Sequence, residues 1–287
     1  MNRLEVFYEH RPLLFSIAYR MLGTKTDAED ILQEAFLRWQ DSVAADNNKA
    51  FLVTVVTRLC LDHLKSARIK REQYVGPWLP EPVLESESLR GNPELADSLS
   101  MAFLVLLETL SPVERAVFLL REVFEFEYDE VARILGKSEP ACRQLLKRAK
   151  ERLSLRPRRF EPSKTQTELL VQRFMETTAT GDLQGLLALL TDDIRLMSDG
   201  GGKVVAALNP IHGPDHVARF LIGVTQKFGV LERAVQVTSA NGQPALIVYA
   251  EDGPTSITVL DTDAGKIRGV FIILNPDKLH HLPQHPA

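Results

Sequence analysis

LSPVERAVFLLREVFEFEYDEVARILGKSEPACRQLLKRAKERL, running from Leu110 to Leu153, is the stretch around which the rest of the chain can be organised. It reads as three helices joined by two tight turns, and its second half is a helix-turn-helix. Tyr128 to Leu135 makes a short amphipathic helix with Val131, Ala132 and Leu135 on one side. Gly136 stops it, because glycine enters the left-handed region without steric penalty. Ser138 caps the next helix with a hydroxyl that accepts from free backbone N–H groups. Pro140 falls in that helix's first turn, where a missing N–H does no harm. So short a turn leaves room only for two helices packed at a steep angle.

The helix from Glu139 to Leu153 divides at a period of 3.6. Cys142, Leu145, Leu146, Ala149 and Leu153 share one face, while Arg143, Gln144, Lys147, Arg148 and Arg152 spread over the rest. From Lys137 to Arg159 the cations are Lys137, Arg143, Lys147, Arg148, Lys150, Arg152, Arg156, Arg158 and Arg159, opposed only by Glu139 and Glu151. A charge run alone is ordinarily a solvated face. Here turn, cap, apolar stripe and basic face coincide, which is what a helix that reads DNA needs: one side fixed to a small core, the other offering cations to phosphates and paired donors to base edges.

At 287 residues the chain is long enough for two domains of ordinary size. The net charge of −4 is unevenly spread: from Glu168 onward thirteen acids oppose nine bases, so that part carries the deficit and the preceding part is neutral. Basic clusters within the first part are therefore balanced by acidic ones, which implies one surface for a polyanion and another for a basic or polar partner. The two cysteines, Cys60 and Cys142, both sit in apolar helical stripes and read as buried core residues rather than a disulfide. No apolar run approaches membrane-spanning length and no signal peptide precedes the first helix, so the expectation is a cytoplasmic protein without a membrane partner.

Residues 1–73 read as all-helical. Leu4 to Leu22 carries Phe7, Leu14, Ile17, Ala18 and Met21 at helical spacing and ends at Gly23. DAEDILQEAFLRWQ, Asp27 to Gln40, sets Ile31, Leu32, Ala35, Phe36 and Trp39 against a face bearing Asp27, Glu29, Asp30, Gln33, Glu34 and Arg38. Acids in its first turns suit the helix dipole, and a solvated face accounts for them equally well. A polar stretch, Asp41 to Lys49, leads into AFLVTVVTRLCLDHLKSARIKRE, apolar at its start and basic at its end through Arg58, Lys65, Arg68, Lys70 and Arg71. His63 has no second ligand at helical spacing, so no metal site is expected, and nothing calls for a cofactor.

The segment from DAEDILQEAFLRWQ through DHLKSARIKRE resembles region 2 of bacterial sigma-70-type factors, and Leu104 to Leu153 resembles region 4. Two such units without an intervening region 3 are the layout of the small extracytoplasmic-function sigma factors. The resemblance implies two all-α domains, a region 2 helical bundle over 1–73 and a region 4 helix-turn-helix domain over 101–160. It implies as partners the RNA polymerase core, through its β′ clamp helices and β flap, and double- and single-stranded promoter DNA. Asp27, Asp30, Gln33, Glu34 and Arg38 then become the polymerase-binding face. Asp46, Asn47, Asn48, Arg58, Lys65 and Arg68 become the residues that capture and open the minus-ten element. Ser138, Glu139, Arg143, Gln144, Lys147, Arg148, Lys150 and Arg152 become those at the minus-thirty-five element. The chemistry is sensible by itself: duplex opening needs a pocket for a splayed base beside cations that hold the backbone. Trp39 and Phe51 are candidates to stack on such a base, although both also fit apolar stripes as core residues.

Residues 74–100, YVGPWLPEPVLESESLRGNPELADSLS, have the proline, glycine and acid content of an extended tether. Tyr74, Trp78 and Leu79 are large apolar groups that a free tether would not expose, so WLPEP is expected to dock. Residues 165–287 change character. Two helices broken near Gly181 precede strands at Ile194–Met197 and Val204–Leu208, a helix over 213–229, and strands at Ala234–Thr238, Ala245–Ala250, Thr255–Leu260 and Ile267–Leu274. The expected fold is an α+β cone, a curved antiparallel sheet with a pocket between sheet and helices. It resembles the SnoaL-like branch of the NTF2-like superfamily, and a sigma factor fused to such a domain is a known group of the SigJ type. Three motifs carry that match: WLPEP (Trp78, Leu79, Pro80, Glu81, Pro82), DGGGK (Asp199, Gly200, Gly201, Gly202, Lys203) and NPDKL (Asn275, Pro276, Asp277, Lys278, Leu279). The resemblance implies that the cone acts in cis on the sigma core through these interdomain residues, with room for a small ligand in the cone. The tail LHHLPQHPA reads as unstructured.

Two other functions compete. A catalytic cone would need an acid or base in an apolar pocket, from Asp199, His212, Asp215 or His216. Asp199 instead begins a glycine turn and Asp215 reads as a helix cap, so no catalytic residue is assigned. A ligand-sensing one-component repressor would have no use for a DNA-opening helix. DGGGK precedes a strand rather than a helix, which makes it a poor phosphate cradle.

Overall fold

A computed structural model describes residues 3–41, 47–84, 99–153, 164–228 and 233–286. Asp46 and the side chain of Arg68 lie outside the described residues. The chain forms two compact units. Among the described residues the first holds those up to Gln73, Leu99, and Phe103 to Leu153. The second holds Tyr74 to Leu84, Ser100 to Ala102, and those from 164 onward.

In the first unit α1 (Arg3–Leu22), α2 (Lys25–Gln40) and α3 (Asn48–Glu72) bury their apolar stripes against one another. Leu14, Ile17 and Met21 from α1, Ala28 and Leu32 from α2, and Leu52, Val56 and Cys60 from α3 are all nearly inaccessible. Gly23, at φ 77°, stops α1 in the left-handed conformation. The Asn47 side-chain oxygen accepts the Ala50 N–H at 3.0 Å, so α3 begins at Asn48, two residues earlier than its apolar run.

Helices α4 (Met101–Leu107), α5 (Pro112–Phe118), α6 (Tyr128–Leu135) and α7 (Glu139–Leu153) follow, with a π-helical turn over Leu119–Val123. Ser111 and Glu114 form a reciprocal capping box on α5, and Gly136 (φ 61°) terminates α6. Ile134 rather than Leu135 is the fully buried residue at the end of α6. The two helical groups share contacts in this unit. Arg115, 3% exposed, donates to the Met21 carbonyl at 2.7 Å and to Glu108 at 2.7 Å.

The second unit is an α+β fold. Helices α8 (Lys164–Thr180), α9 (Leu183–Leu189) and α10 (Pro214–Lys227) accompany strands β1 (Leu190–Asp199), β2 (Ile211–His212), β3 (Ala234–Ala240), β4 (Gln243–Ala250), β5 (Gly253–Asp263) and β6 (Lys266–Ile273). The sheet order is β2-β1-β6-β5-β4-β3. Its core joins Phe174, Leu186, Val217 and Leu221 of the helices to Leu196, Leu246, Leu260 and Val270 of the sheet.

Three expectations need correcting here. The sheet is not wholly antiparallel: β6 returns beside β1 in the same direction, after β3, β4 and β5 have formed a meander. Val204 to Leu208 is not a strand. The β1 edge pairs instead with β2, and Val205 and Leu208 are left exposed in an irregular segment. The tail after the last strand is not loose: Leu279 and Leu282 are 4% and 3% exposed.

Candidate functional site

Helix α7 presents the expected face. Cys142, Leu146, Ala149 and Leu153 are buried, Leu145 is half-buried, and Arg143, Gln144, Lys147 and Arg148 are exposed. Ser138 receives the Ala141 N–H at 3.4 Å as the cap. Arg143 lies over the Tyr128 ring, 4.7 Å from its centroid, and 2.8 Å from Glu139, and these two contacts orient its guanidinium. Lys150 and Arg152 are different: Lys150 reaches Glu122 at 2.6 Å and Arg152 reaches the buried Glu114 at 3.0 Å. Their charges are already committed within the helical unit.

Glu114 makes that commitment sensitive to acid. Burial opposes its ionisation, but the Ser111 hydroxyl and N–H, with the charges of Arg152 and Arg148, outweigh burial and hold its carboxyl below the usual 4.5. A depressed folded value means stability that is complete above the unfolded value and lost as pH falls through the folded one. As pH falls from neutral to below the usual 4.5, Glu114→Gln should therefore lose less stability than the parent protein. Thermal unfolding of both proteins across that range checks this, since their other carboxylates titrate alike.

On α2, Asp30, Gln33, Glu34 and Arg38 are exposed together, with Arg38 and Glu34 paired at 2.8 Å. Asp27 stands apart: it accepts from Thr24 at the helix start and lies 3.6 Å from His63. Of the residues expected at the minus-ten element, Asn47 caps α3 and Lys65 is exposed beside Asp62. Arg58 donates to the Ile134 carbonyl at 3.1 Å and the Arg133 carbonyl at 3.5 Å, satisfying the open C-terminal carbonyls of α6. Trp39, 2% exposed and packed near Phe7, is a core residue; Phe51 is half-buried.

The three short motifs meet within the second unit, around Asp199. This carboxylate is wholly buried. It accepts from the Tyr74 hydroxyl at 2.6 Å, the Leu79 N–H at 2.9 Å, the Gly201 N–H at 3.0 Å and Lys278 Nζ at 2.7 Å. Lys278 is also buried, donates to the Leu79 carbonyl, and lies 4.2 Å from the Trp78 ring centroid and 5.2 Å from that of Tyr74. An ion pair this deep is tolerable only because every partner is supplied. Asn275 donates to the Tyr74 hydroxyl at 2.9 Å. Burial first, then the bond to Asp199, pushes the Tyr74 phenol well above its ordinary value, so it remains a donor. Gly201, at φ 62°, packs so closely on Asn275 that a Cβ there would collide with the amide. Lys203 and Asp277 pair at 2.7 Å on the exposed rim, where such a bridge contributes little.

The same strip continues. Val83 and Asn241 exchange hydrogen bonds at 2.9 and 3.0 Å, and the Gln243 side chain accepts the Met101 N–H at 2.7 Å. His281 donates to the Pro82 carbonyl at 2.6 Å and lies 2.8 Å from Glu81. Tyr74, Asn241, Gln243 and His281 are members of this site that sequence reasoning did not assign. Only the Asn241-Gly242 turn and the aromatic character of Tyr74 offered a signal.

The catalytic candidates do not assemble. Asp215 pairs with Arg219 at 2.8 Å, and His212 and His216 are exposed at the start of α10. A cavity of about 1200 Å³ lies between sheet and helices, and its lining includes none of Asp199, His212, Asp215 or His216.

The chain thus comprises a helical unit that contains a helix-turn-helix and a second, α+β unit that holds the strip Tyr74 to Leu84. Residues 6–69 match sigma-70 region 2, residues 100–153 match sigma-70 region 4, and residues 171–273 match the SnoaL-like domain. The chain is 39% identical to the ECF RNA polymerase sigma factor SigJ of Mycobacterium tuberculosis, over 99% of this chain and 94% of that protein. It is 31% identical to the probable ECF RNA polymerase sigma factor SigI of the same species, over 95% and 93%. The crystal structure of M. tuberculosis SigJ superposes with a TM-score of 0.79 at 35% identity, covering 98% of this chain and all of that one. The chain belongs to the extracytoplasmic-function sigma-70 family: it is an RNA polymerase sigma factor that directs promoter-specific transcription initiation and carries a fused SnoaL-like domain.

Proposed function

We propose that the SnoaL-like domain regulates the sigma core of its own chain by holding the strip that joins region 2 to region 4. The observation that carries this is Asp199, buried and bonded at once to Tyr74, Leu79 and Lys278. Both ends of the joining segment, near 79 and near 101, are hydrogen-bonded within the cone. Held there, the segment sets how far region 2 and region 4 can separate, and promoter elements at fixed spacing make that distance functional. A tethered contact acts at high effective concentration, so a modest interface suffices. Reconstituted transcription with core polymerase tests the proposal. Indifference to substitutions at Trp78, Asp199 and Asp277 would leave the cone a passive appendage.

In this reading the exposed face of α2 docks on the β′ clamp helices and region 4 on the β flap. Residues 41–71 open the minus-ten element as single strands, and α7 reads the duplex minus-thirty-five element. The factor works in the cytoplasm, with the chromosome. Asp30→Lys with Glu34→Lys should reduce polymerase capture by about tenfold or more, since like charges set against a partner surface cost several kcal/mol. Far-ultraviolet circular dichroism should be unchanged, as both side chains are exposed. Unimpaired capture would make α2 only a solvated face. The cone is read as a regulator rather than an enzyme because Asp199 is consumed in the dock and the other candidate acids and bases lie outside the cavity.

A further inference from the structure

The cavity of the cone has a composition that specifies a ligand class. Its walls are apolar, with Phe174 and Met175 from α8 facing Leu246, Val248 and Ile272 of the sheet. Two polar groups interrupt the sheet side. Ser256 and Thr258, two residues apart on β5 and hence on one face, both line the cavity, and their hydroxyls have no hydrogen-bond partner among the described residues. Among the described residues the one carboxylate in the lining, Glu176, is exposed.

The mouth is cationic and greasy. Of the four cations in the lining, Lys203 and Arg219 are neutralised by Asp277 and Asp215. Lys227 and Arg233 have no ion pair among the described residues: Lys227 lies over the Phe228 ring and Arg233 donates only to Thr255 at 3.4 Å. Val204, Val205 and Phe228, also in the lining, are 40%, 83% and 44% exposed. Gly223 also lines the cavity from the middle of α10, where glycine disfavours a helix relative to alanine. A Cβ placed there meets nothing within 4 Å, so the residue leaves space open rather than allowing a close packing contact.

We propose that this cavity binds an apolar carboxylate of long-chain fatty-acid type, its chain against the Phe174–Ile272 walls and its carboxylate at Lys227 and Arg233. A cavity this large accommodates a sixteen-carbon chain, and binding sites of this kind combine an apolar wall with a few placed polar groups. Nothing in the lining equips the site to transform such a molecule, so it would be bound and released unchanged. The site does not include Asp199 and meets the interdomain motifs only at Lys203, whose charge is taken up by Asp277; binding is measured without transcription, so failure here leaves the proposed regulation in cis untouched.

Calorimetric titration of the full chain with hexadecanoate, below its aggregation concentration, tests the site. The expected result is saturable one-to-one binding, with hexadecanol at least about tenfold weaker, a difference of 1.4 kcal/mol. Lys227→Glu with Arg233→Glu should abolish the preference for the acid. Gly223→Trp should block both ligands, and because α10 gains a side chain where space is open, its melting temperature should not fall. Absence of saturable binding, equal affinity for acid and alcohol in the parent protein, or undiminished binding in a folded Gly223→Trp protein would each overturn the assignment. The last would place the ligand on the exposed Val204–Val205 surface.

Discussion

Asp199→Ala is expected to destabilise the C-terminal unit by about 3–5 kcal/mol, because it strands the buried ammonium of Lys278 without its counter-charge. The same change removes the acceptor for the Tyr74 hydroxyl and the Leu79 N–H, so the strip from Tyr74 to Leu84 should become a substrate for limited proteolysis. Trp78→Ala should act through the same network, since it uncovers Lys278 on one side. Transcription should change in the same direction in both variants. The double variant should fall short of the sum, because residues sharing one network do not contribute independently. Lys278→Met with Asp199→Leu provides the control for stability: an apolar pair of similar volume should recover much of the lost stability without restoring the hydrogen bonds to the linker. Additive effects of Trp78→Ala and Asp199→Ala on transcription would mean that they belong to separate devices.

Loss of the minus-thirty-five footprint is the expected outcome for Arg143→Ala with Lys147→Ala. An arginine bidentate to a base edge contributes about 1–3 kcal/mol of discrimination, so Arg143→Ala alone should relax sequence preference by roughly 5- to 150-fold. Gln144→Ala should act similarly at a neighbouring base. Among the described residues Arg148 has no ion pair, though its charge acts on Glu114, and its loss should weaken all sequences alike and lower the salt slope by about 1. Lys150 and Arg152 separate from this group. Their pairs with Glu122 and Glu114 mean that Arg152→Ala should lower the stability of the helical unit, with any loss of DNA affinity following from that. A footprint unchanged in the Arg143–Lys147 double variant would remove α7 from the promoter.

Much of this protein can be read from the order of its residues, because the relevant signals are local. The cap at Ser138 and the stops at Gly23, Gly136 and Gly181 need only a few neighbouring residues to act, and each begins or ends a helix as expected; Ser111 and Asp182 cap α5 and α9 by the same local means. The division of α7 into buried stripe and basic face is likewise a property of one helix. The family resemblance was legible in the same way, since its motifs are contiguous. One local reading was overruled by the tertiary structure: Val204–Leu208 is a short apolar run that reads as a strand, but the β1 edge is occupied by β2.

What sequence alone could not decide is which charges remain free. Arg58, Lys150 and Arg152 look equivalent to Arg148 in a linear chain, yet the first caps α6 and the others are paired with acids far away in sequence, whereas Arg143 pairs only with Glu139 one turn away on its own helix. The meeting of Tyr74, Leu79, Asp199 and Lys278 spans about two hundred positions and leaves no periodic trace. Neither does the docking of His281 on Pro82, in a tail that composition alone assigns to solvent. Caps and amphipathic stripes follow from backbone geometry over one or two turns. A buried ion pair is stable only when distant segments together supply every hydrogen bond it lost from water, and that completeness is a property of the folded chain.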